Sequence, residues 1–65
     1  MKKIDKILAD HGFRKERIIQ ILNDIQRIHG YLPRTVLEHV SRRVKMPMSA
    51  IYSIATFYSA FSLVP

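Results

Sequence analysis

Histidine has the widest chemistry of the side chains in this sequence, because imidazole is an acid or base near neutral pH and also ligates metals. His11, His29 and His39 lie on or beside three different predicted helices, and no two have the spacing of a ligand pair. We therefore interpret all three as exposed or helix-end residues. His29 in particular complements the negative end of a helix dipole.

The other residue types that perform chemistry also give no site. Cysteine is absent, which excludes disulfides, cysteine-ligated zinc and cysteine-held iron–sulfur clusters within these 65 residues. The serines lack the sequence context of a nucleophile elbow, and no glycine-rich loop is present to bind phosphate. The sequence therefore predicts no catalytic, cofactor-binding or metal-ligating residue in this chain, and no enzyme active site.

An uncharged C-terminal stretch is the most informative feature of the chain. Residues 48–64 contain no Asp, Glu, Lys or Arg, whereas the preceding 47 residues hold all eleven basic and all five acidic side chains. The stretch is shorter than the roughly 20 apolar residues of a membrane span, and five Ser and Thr side chains interrupt it. We expect no transmembrane helix and a cytoplasmic protein, with the cytoplasmic face of a membrane complex as a second location.

The elements that must position these residues are helices. Apolar residues at steps of three and four predict an all-α fold, a small orthogonal bundle of three to four helices over residues 3–9, 14–29, 34–44 and 49–61. Gly12 and Gly30 end the first two helices. Pro33 is predicted in the first turn of the third helix, and Ser49 is predicted as the N-cap of the fourth.

Two of these helices differ in how much apolar surface they carry. The second has one stripe, formed by Ile18, Ile21, Leu22, Ile25 and Ile28. The fourth is apolar nearly all round, and three short helices cannot enclose it. We therefore expect a contiguous apolar patch at the surface, of the kind that marks protein interfaces.

The net charge of +6 raises an alternative function. The third and fourth helices, joined by a short turn, resemble a helix-turn-helix DNA-binding module. However, the fourth helix offers no Arg, Lys, Asn or Gln to base edges. Arg42, Arg43 and Lys45 also have a structural role, since positive charge complements a helix C-terminus. Nucleic acid is therefore the alternative and not the expected partner.

Two motifs carry a resemblance to a known family. They are Gly30-Tyr31-Leu32-Pro33 and the run ATFYSAF at residues 55–61. With these motifs, residues 14–62 resemble the N-terminal helical domain of the 24 kDa iron–sulfur subunit of respiratory complex I. The equivalent subunits of NAD(P)-reducing hydrogenases and NAD-dependent formate dehydrogenases are similar.

The resemblance implies a single helical domain, residues 1–65, that forms the N-terminal part of a longer chain. In that family a thioredoxin-like domain follows, and its four cysteines bind a [2Fe-2S] cluster. The parent protein would be a subunit of an NAD(P)-linked oxidoreductase of the NADH dehydrogenase or hydrogenase type. The cluster would lie in the missing C-terminal domain, and FMN and NAD(P) would lie in a partner subunit.

The expected role of this chain is docking without catalysis. The expected partners are the flavin- and NAD(P)-binding subunit and the chain's own thioredoxin-like cluster domain. A dimer through the apolar C-terminal helix is a further way to cover the patch. The predicted interface combines the GYLP turn with the aromatic helix: Gly30, Tyr31, Leu32, Pro33, Tyr52, Thr56, Phe57, Tyr58 and Phe61.

Overall fold

Four α-helices and one short 3-10 turn make up the computed structural model, which describes residues 1–65. The helices are α1 (Lys2–Asp10), α2 (Ile18–His29), α3 (Arg34–Val44) and α4 (Met48–Phe57), and the 3-10 turn (Lys15–Arg17) precedes α2. No strand is present, so the predicted all-α fold is confirmed. Helix α1 packs against both α2 and α3, and α3 packs against α4.

Positive backbone φ angles end three segments of the chain. Gly12 follows α1 with φ +65°, and Gly30 ends α2 with φ +82°, as predicted for residues without a Cβ atom. The Gly30 N–H donates to the Gln26 carbonyl at 2.7 Å. Lys45 ends α3 in the same left-handed region with φ +60°, although it is not a glycine.

The starts of α3 and α4 both differ from the prediction. Pro33 lies at the N-cap of α3 and not in its first turn, because its ψ of 140° is extended while its carbonyl already accepts the Leu37 N–H. Pro47 takes the N-cap position of α4 in the same way. Ser49 is therefore not the N-cap. It lies inside the first turn, where its carbonyl accepts a hydrogen bond from the Ser53 hydroxyl.

The fourth helix ends four residues earlier than predicted. Phe57 is its last residue, and Tyr58 turns to extended geometry with φ −89° and ψ 110°. The chain leaves the helix here because backbone groups of residues 60–62 bond to other parts of the chain, described below. The second helix also starts later than predicted, since residues 15–17 form the 3-10 turn.

The core is entirely apolar. It contains no buried polar or charged side chain, and no buried side-chain nitrogen or oxygen lacks a hydrogen-bond partner. Ile28 is the member of the predicted α2 stripe that is not buried. It is 49% exposed, because it borders an open groove of about 310 Å³ between α1 and α2. The fifteen buried residues are Ile4, Ile7, Leu8, Ile18, Ile21, Leu22, Ile25, Leu32, Val36, Leu37, Val40, Val44, Ile51, Ala55 and Phe61.

Two histidines connect helices. His11 is a helix-end residue as predicted, the C-cap of α1, whereas His39 lies inside α3, contrary to its interpretation as an exposed or helix-end residue. His11 and His39 are partly buried, and each donates from Nε2 to a carboxylate: His11 to Asp24 at 2.9 Å, and His39 to Asp5 at 2.6 Å. No local pattern indicates these pairs, because the partners are 13 and 34 residues apart. His29 is exposed in the last turn of α2, in agreement with the prediction.

The carboxylate of Asp5 predicts a pH dependence of stability. The hydrogen bond from His39 lowers the pKa of Asp5 below its ordinary value of 3.8, and the charges of His39 and Arg43 act in the same direction. A lowered pKa stabilises the folded state above pH 3.8, and this contribution is lost as the pH falls through the folded-state pKa. Asp5→Asn should therefore lower Tm at neutral pH, and the difference from the wild type should shrink in acid.

Thermal unfolding, followed by circular dichroism from neutral pH to below pH 3.8, measures the difference in Tm between Asp5→Asn and the wild type. Asp10→Asn is the matched control, because Asp10 makes only an exposed ion pair with Lys6 one turn away. If both substitutions lowered Tm by the same amount at every pH, the contacts of Asp5 with α3 would contribute no more to stability than an exposed ion pair.

Candidate interaction surface

The aromatic side chains at the end of α4 form the most exposed apolar feature of the molecule. Phe57 is 81% exposed, and Tyr58 next to it is also exposed. Their rings meet edge to face with centroids 5.4 Å apart, and Tyr58 meets Phe61 in the same way at 6.2 Å. Phe61 is only 9% exposed, so it anchors this aromatic cluster to the core.

The rest of α4 contributes less to this surface. The Thr56 hydroxyl is exposed but donates to the Tyr52 carbonyl at 2.8 Å, which uses its donor within the helix. Tyr52 is partly buried and packs against the core. It also precedes Phe57 by five residues, which places the two side chains about 140° apart around an α-helix. The structure therefore does not bring Tyr52 and Phe57 onto one face.

The GYLP turn supplies the second predicted segment. Gly30 is exposed, and Tyr31 and Pro33 are partly buried. Leu32 is 1% exposed and belongs to the core. Its side chain, like that of Phe61, has little exposed surface for a partner. Both side chains therefore pack beneath the exposed residues of this surface.

Backbone hydrogen bonds bring the two segments together. The Leu32 N–H donates to the Ser62 carbonyl at 2.8 Å. The amide of Gln26 holds the same stretch from α2, because Nε2 donates to the Ala60 carbonyl at 2.6 Å and Oε1 accepts the Ser62 N–H at 2.7 Å. We call this arrangement of Gln26, Ala60 and Ser62 the amide clamp. It fixes the chain that follows Phe57 and Tyr58 beside the GYLP turn.

Gln26 is a site residue that the sequence pattern does not predict. Its partners lie 34 and 36 residues further along the chain, which no local pattern can show. The one available signal is its position between Ile25 of the α2 stripe and Gly30. We name the exposed and partly buried members of this region, Tyr31, Pro33, Phe57 and Tyr58, the apolar end.

The residues of this chain do not fit an iron–sulfur cluster or another metal. The sequence has no cysteine, and no three His, Asp or Glu side chains converge as a ligand set. The longest helix, α2, has 12 residues, and no helix meets the length and hydropathy of a membrane span. The fold and the surface thus define an all-α module with aromatic side chains exposed at the end of α4.

The chain belongs to the thioredoxin-like [2Fe-2S] ferredoxin family, whose sequence model matches residues 4–65. The resemblance drawn from the GYLP and ATFYSAF motifs is therefore confirmed. The match begins at residue 4, whereas the resemblance was assigned to residues 14–62.

Curated relatives agree with this family. The E subunit of the NADH-quinone oxidoreductase of Rickettsia felis is 39% identical over 61 residues, which are 92% of this chain and 36% of that protein. An E subunit of the same type of enzyme from Rhizobium meliloti is 33% identical over 64 residues, 98% of this chain and 38% of that protein. The NADP-reducing hydrogenase subunit HndA of Solidesulfovibrio fructosivorans is 29% identical over 52 residues, 80% of this chain and 30% of that protein. This chain spans about a third of the length of these relatives.

The amide clamp predicts a local effect of Gln26→Glu. A carboxylate cannot donate to the Ala60 carbonyl, so that acceptor loses its partner. We expect the free energy of unfolding to fall by about 1 kcal/mol. Hydrogen exchange of the Leu32 amide, which donates to the Ser62 carbonyl in the clamped stretch, should accelerate more than exchange within α1.

Gln20→Glu is the matched control, because Gln20 lies exposed on the same helix. Urea unfolding and NMR hydrogen exchange compare the two variants. Equal effects on the Leu32 amide would contradict a clamp formed by Gln26.

Proposed function

We propose that this chain is a helical docking domain of an iron–sulfur electron-transfer subunit that serves NAD(P)H-linked oxidoreduction, and that it performs no catalysis itself. The observation that carries the proposal is the 81% exposure of Phe57 on a chain whose core is otherwise closed. A large exposed aromatic residue beside a second one is typical of an interface anchor. The family match supplies the electron-transfer context.

The proposed partners are a flavin- and NAD(P)-binding subunit and a thioredoxin-like cluster domain of the same protein. The absence of cysteine from these residues is consistent with a [2Fe-2S] cluster held by that domain, and we assign FMN and NAD(P) to the partner subunit. The names of the relatives support this assignment, since they are subunits of a quinone oxidoreductase and of a hydrogenase. We place the assembled protein in the cytoplasm or at the cytoplasmic face of a membrane complex.

The apolar end has the composition of a small interface centre. Full burial of a phenylalanine side chain contributes about 1.5–3 kcal/mol, so Phe57 alone would affect affinity strongly. Tyr58 adds a ring with a polar tip, which suits a partly wet rim. Gly30 and Thr56 are exposed and complete the proposed contact.

The helix-turn-helix alternative gains no support from α4. Its exposed polar side chains are Ser49, Ser53 and Thr56. Two of these hydroxyls, on Ser53 and Thr56, already donate to carbonyls of the same helix. Base edges in a major groove are read mainly by Arg, Lys, Asn and Gln side chains, which α4 lacks.

Phe57→Asp tests the docking role. The variant should keep its helicity and Tm, because Phe57 contributes little to the core. Capture by the flavin-binding subunit from the same source should weaken about tenfold or more, since a charge would be placed in an apolar contact. Capture of the unchanged chain should vary little between low and high salt.

Gln20→Asp is the control, because it adds the same charge to an exposed position on α2. The cluster domain, supplied as a separate bait, shows which of the two partners uses Phe57. Unfolding of Phe57→Asp would place this residue in the core and refute its interface role. Unaltered capture by both baits would refute docking through the apolar end.

A further inference from the structure

The positive charge of the chain is unevenly compensated. Each of the five acidic side chains forms an ion pair, and five of the eleven basic side chains are used in those pairs with Lys or Arg. Six basic side chains therefore have no carboxylate partner. They are Lys2, Lys3, Lys15, Arg17, Arg42 and Lys45.

Four of these six lie within four residues of Phe13 or Arg43 in the sequence. Arg43 and Phe13 are in contact with each other, because the Arg43 guanidinium lies 4.7 Å from the centroid of the Phe13 ring. This contact joins the last turn of α3 to the segment that leads into α2. The basic end, as we name it, consists of Phe13 and Arg43 together with their neighbours Lys15, Arg17, Arg42 and Lys45.

The basic end lies far from the apolar end. Helix α2 runs from the basic end to Gly30, α3 returns from Pro33 to Lys45, and α4 runs from Pro47 to Phe57. These helices have 10 to 12 residues, and at about 1.5 Å per residue they separate the two ends by roughly 15–18 Å. A partner seated on Phe57 would therefore leave the basic end accessible.

Arg43 is held in place at the basic end. Its Nη1 donates to Asp5 at 3.4 Å while its guanidinium plane is in contact with Phe13. Arg42, next to it in the sequence, and Arg17, four residues after Phe13, are exposed and form no ion pair within the chain. A guanidinium can bind a carboxylate through two parallel hydrogen bonds. Arginine and aromatic side chains are also enriched at protein interfaces.

We propose that the basic end is a second binding surface, which takes an acidic protein segment: a cluster of Asp and Glu side chains on another polypeptide. This partner differs in chemistry from the one at the apolar end. Nucleic acid fits the surface less well, because four free cations neutralise only about four phosphates and α4 presents no base-reading side chain.

Binding of a model acidic segment tests the proposal. The 65-residue chain has an apolar core of its own with no unsatisfied buried polar side-chain atom. The ¹⁵N-labelled chain is therefore used directly for NMR titration. A polyglutamate peptide of about ten residues is the probe; binding is first established at low salt, and the variants are compared at about 0.1 M salt, where exposed charges act over roughly 10 Å. Amide shifts should concentrate at residues 13–17 and 42–46. Arg42→Glu and Arg17→Glu should each raise Kd about fivefold or more.

Lys3→Glu is the matched control, because it makes the same change in charge in the groove between α1 and α2, beside Arg27 and Ile28. It should raise Kd less than about twofold. Arg42→Gln and Arg17→Gln provide neutral variants in case a glutamate lowers stability. Phe57→Asp should leave peptide binding unchanged, so failure of this proposal and failure of docking at the apolar end are distinguishable.

Three results would overturn the proposal. Equal weakening by Lys3→Glu would mean that net charge alone attracts the peptide. Shifts spread evenly over the chain, or no binding at low salt, would mean that no such surface exists. Tighter binding of a duplex DNA of about 20 base pairs, with shifts that include α4, would assign the basic end to nucleic acid.

Discussion

The return of residues 58–62 onto the GYLP turn is the constraint on which the rest of the structure depends. A chain of 65 residues without disulfides has little core to spare, and Leu32 and Phe61 close it at this end. Gln26 and the Leu32 amide fix the return with three hydrogen bonds of 2.6 to 2.8 Å. Because the chain leaves α4 at Phe57 to make these bonds, Phe57 and Tyr58 remain outside the core.

The same closure gives the molecule two chemically different ends. The apolar end carries no charged side chain of α4, whereas the basic end collects free cations around the contact between Arg43 and Phe13. Between them, Asp5 and Asp24 accept hydrogen bonds from His39 and His11 and connect the helices. Charged side chains thus connect the helices, while four of the six unpaired cations belong to the basic end.

The proposed docking role asks for surfaces and not for reactive side chains. The chain belongs to an iron–sulfur family, yet its residues supply neither thiolates nor a converging ligand set. The exposed rings of Phe57 and Tyr58 are the surface on which that proposal rests.

The sequence by itself determined the helices and most of the core. The spacing of Ile18, Ile21, Leu22 and Ile25 predicted the buried face of α2, and Gly30 predicted its end, because both signals are local to a few residues. It also identified the uncharged C-terminal stretch and the family. Only the tertiary structure decided which aromatic residues stay exposed. Phe57 and Phe61 were both predicted as interface residues, but one is 81% exposed and the other 9%. The difference arises from bonds between Gln26 and residues 34 to 36 positions away, which no local pattern records.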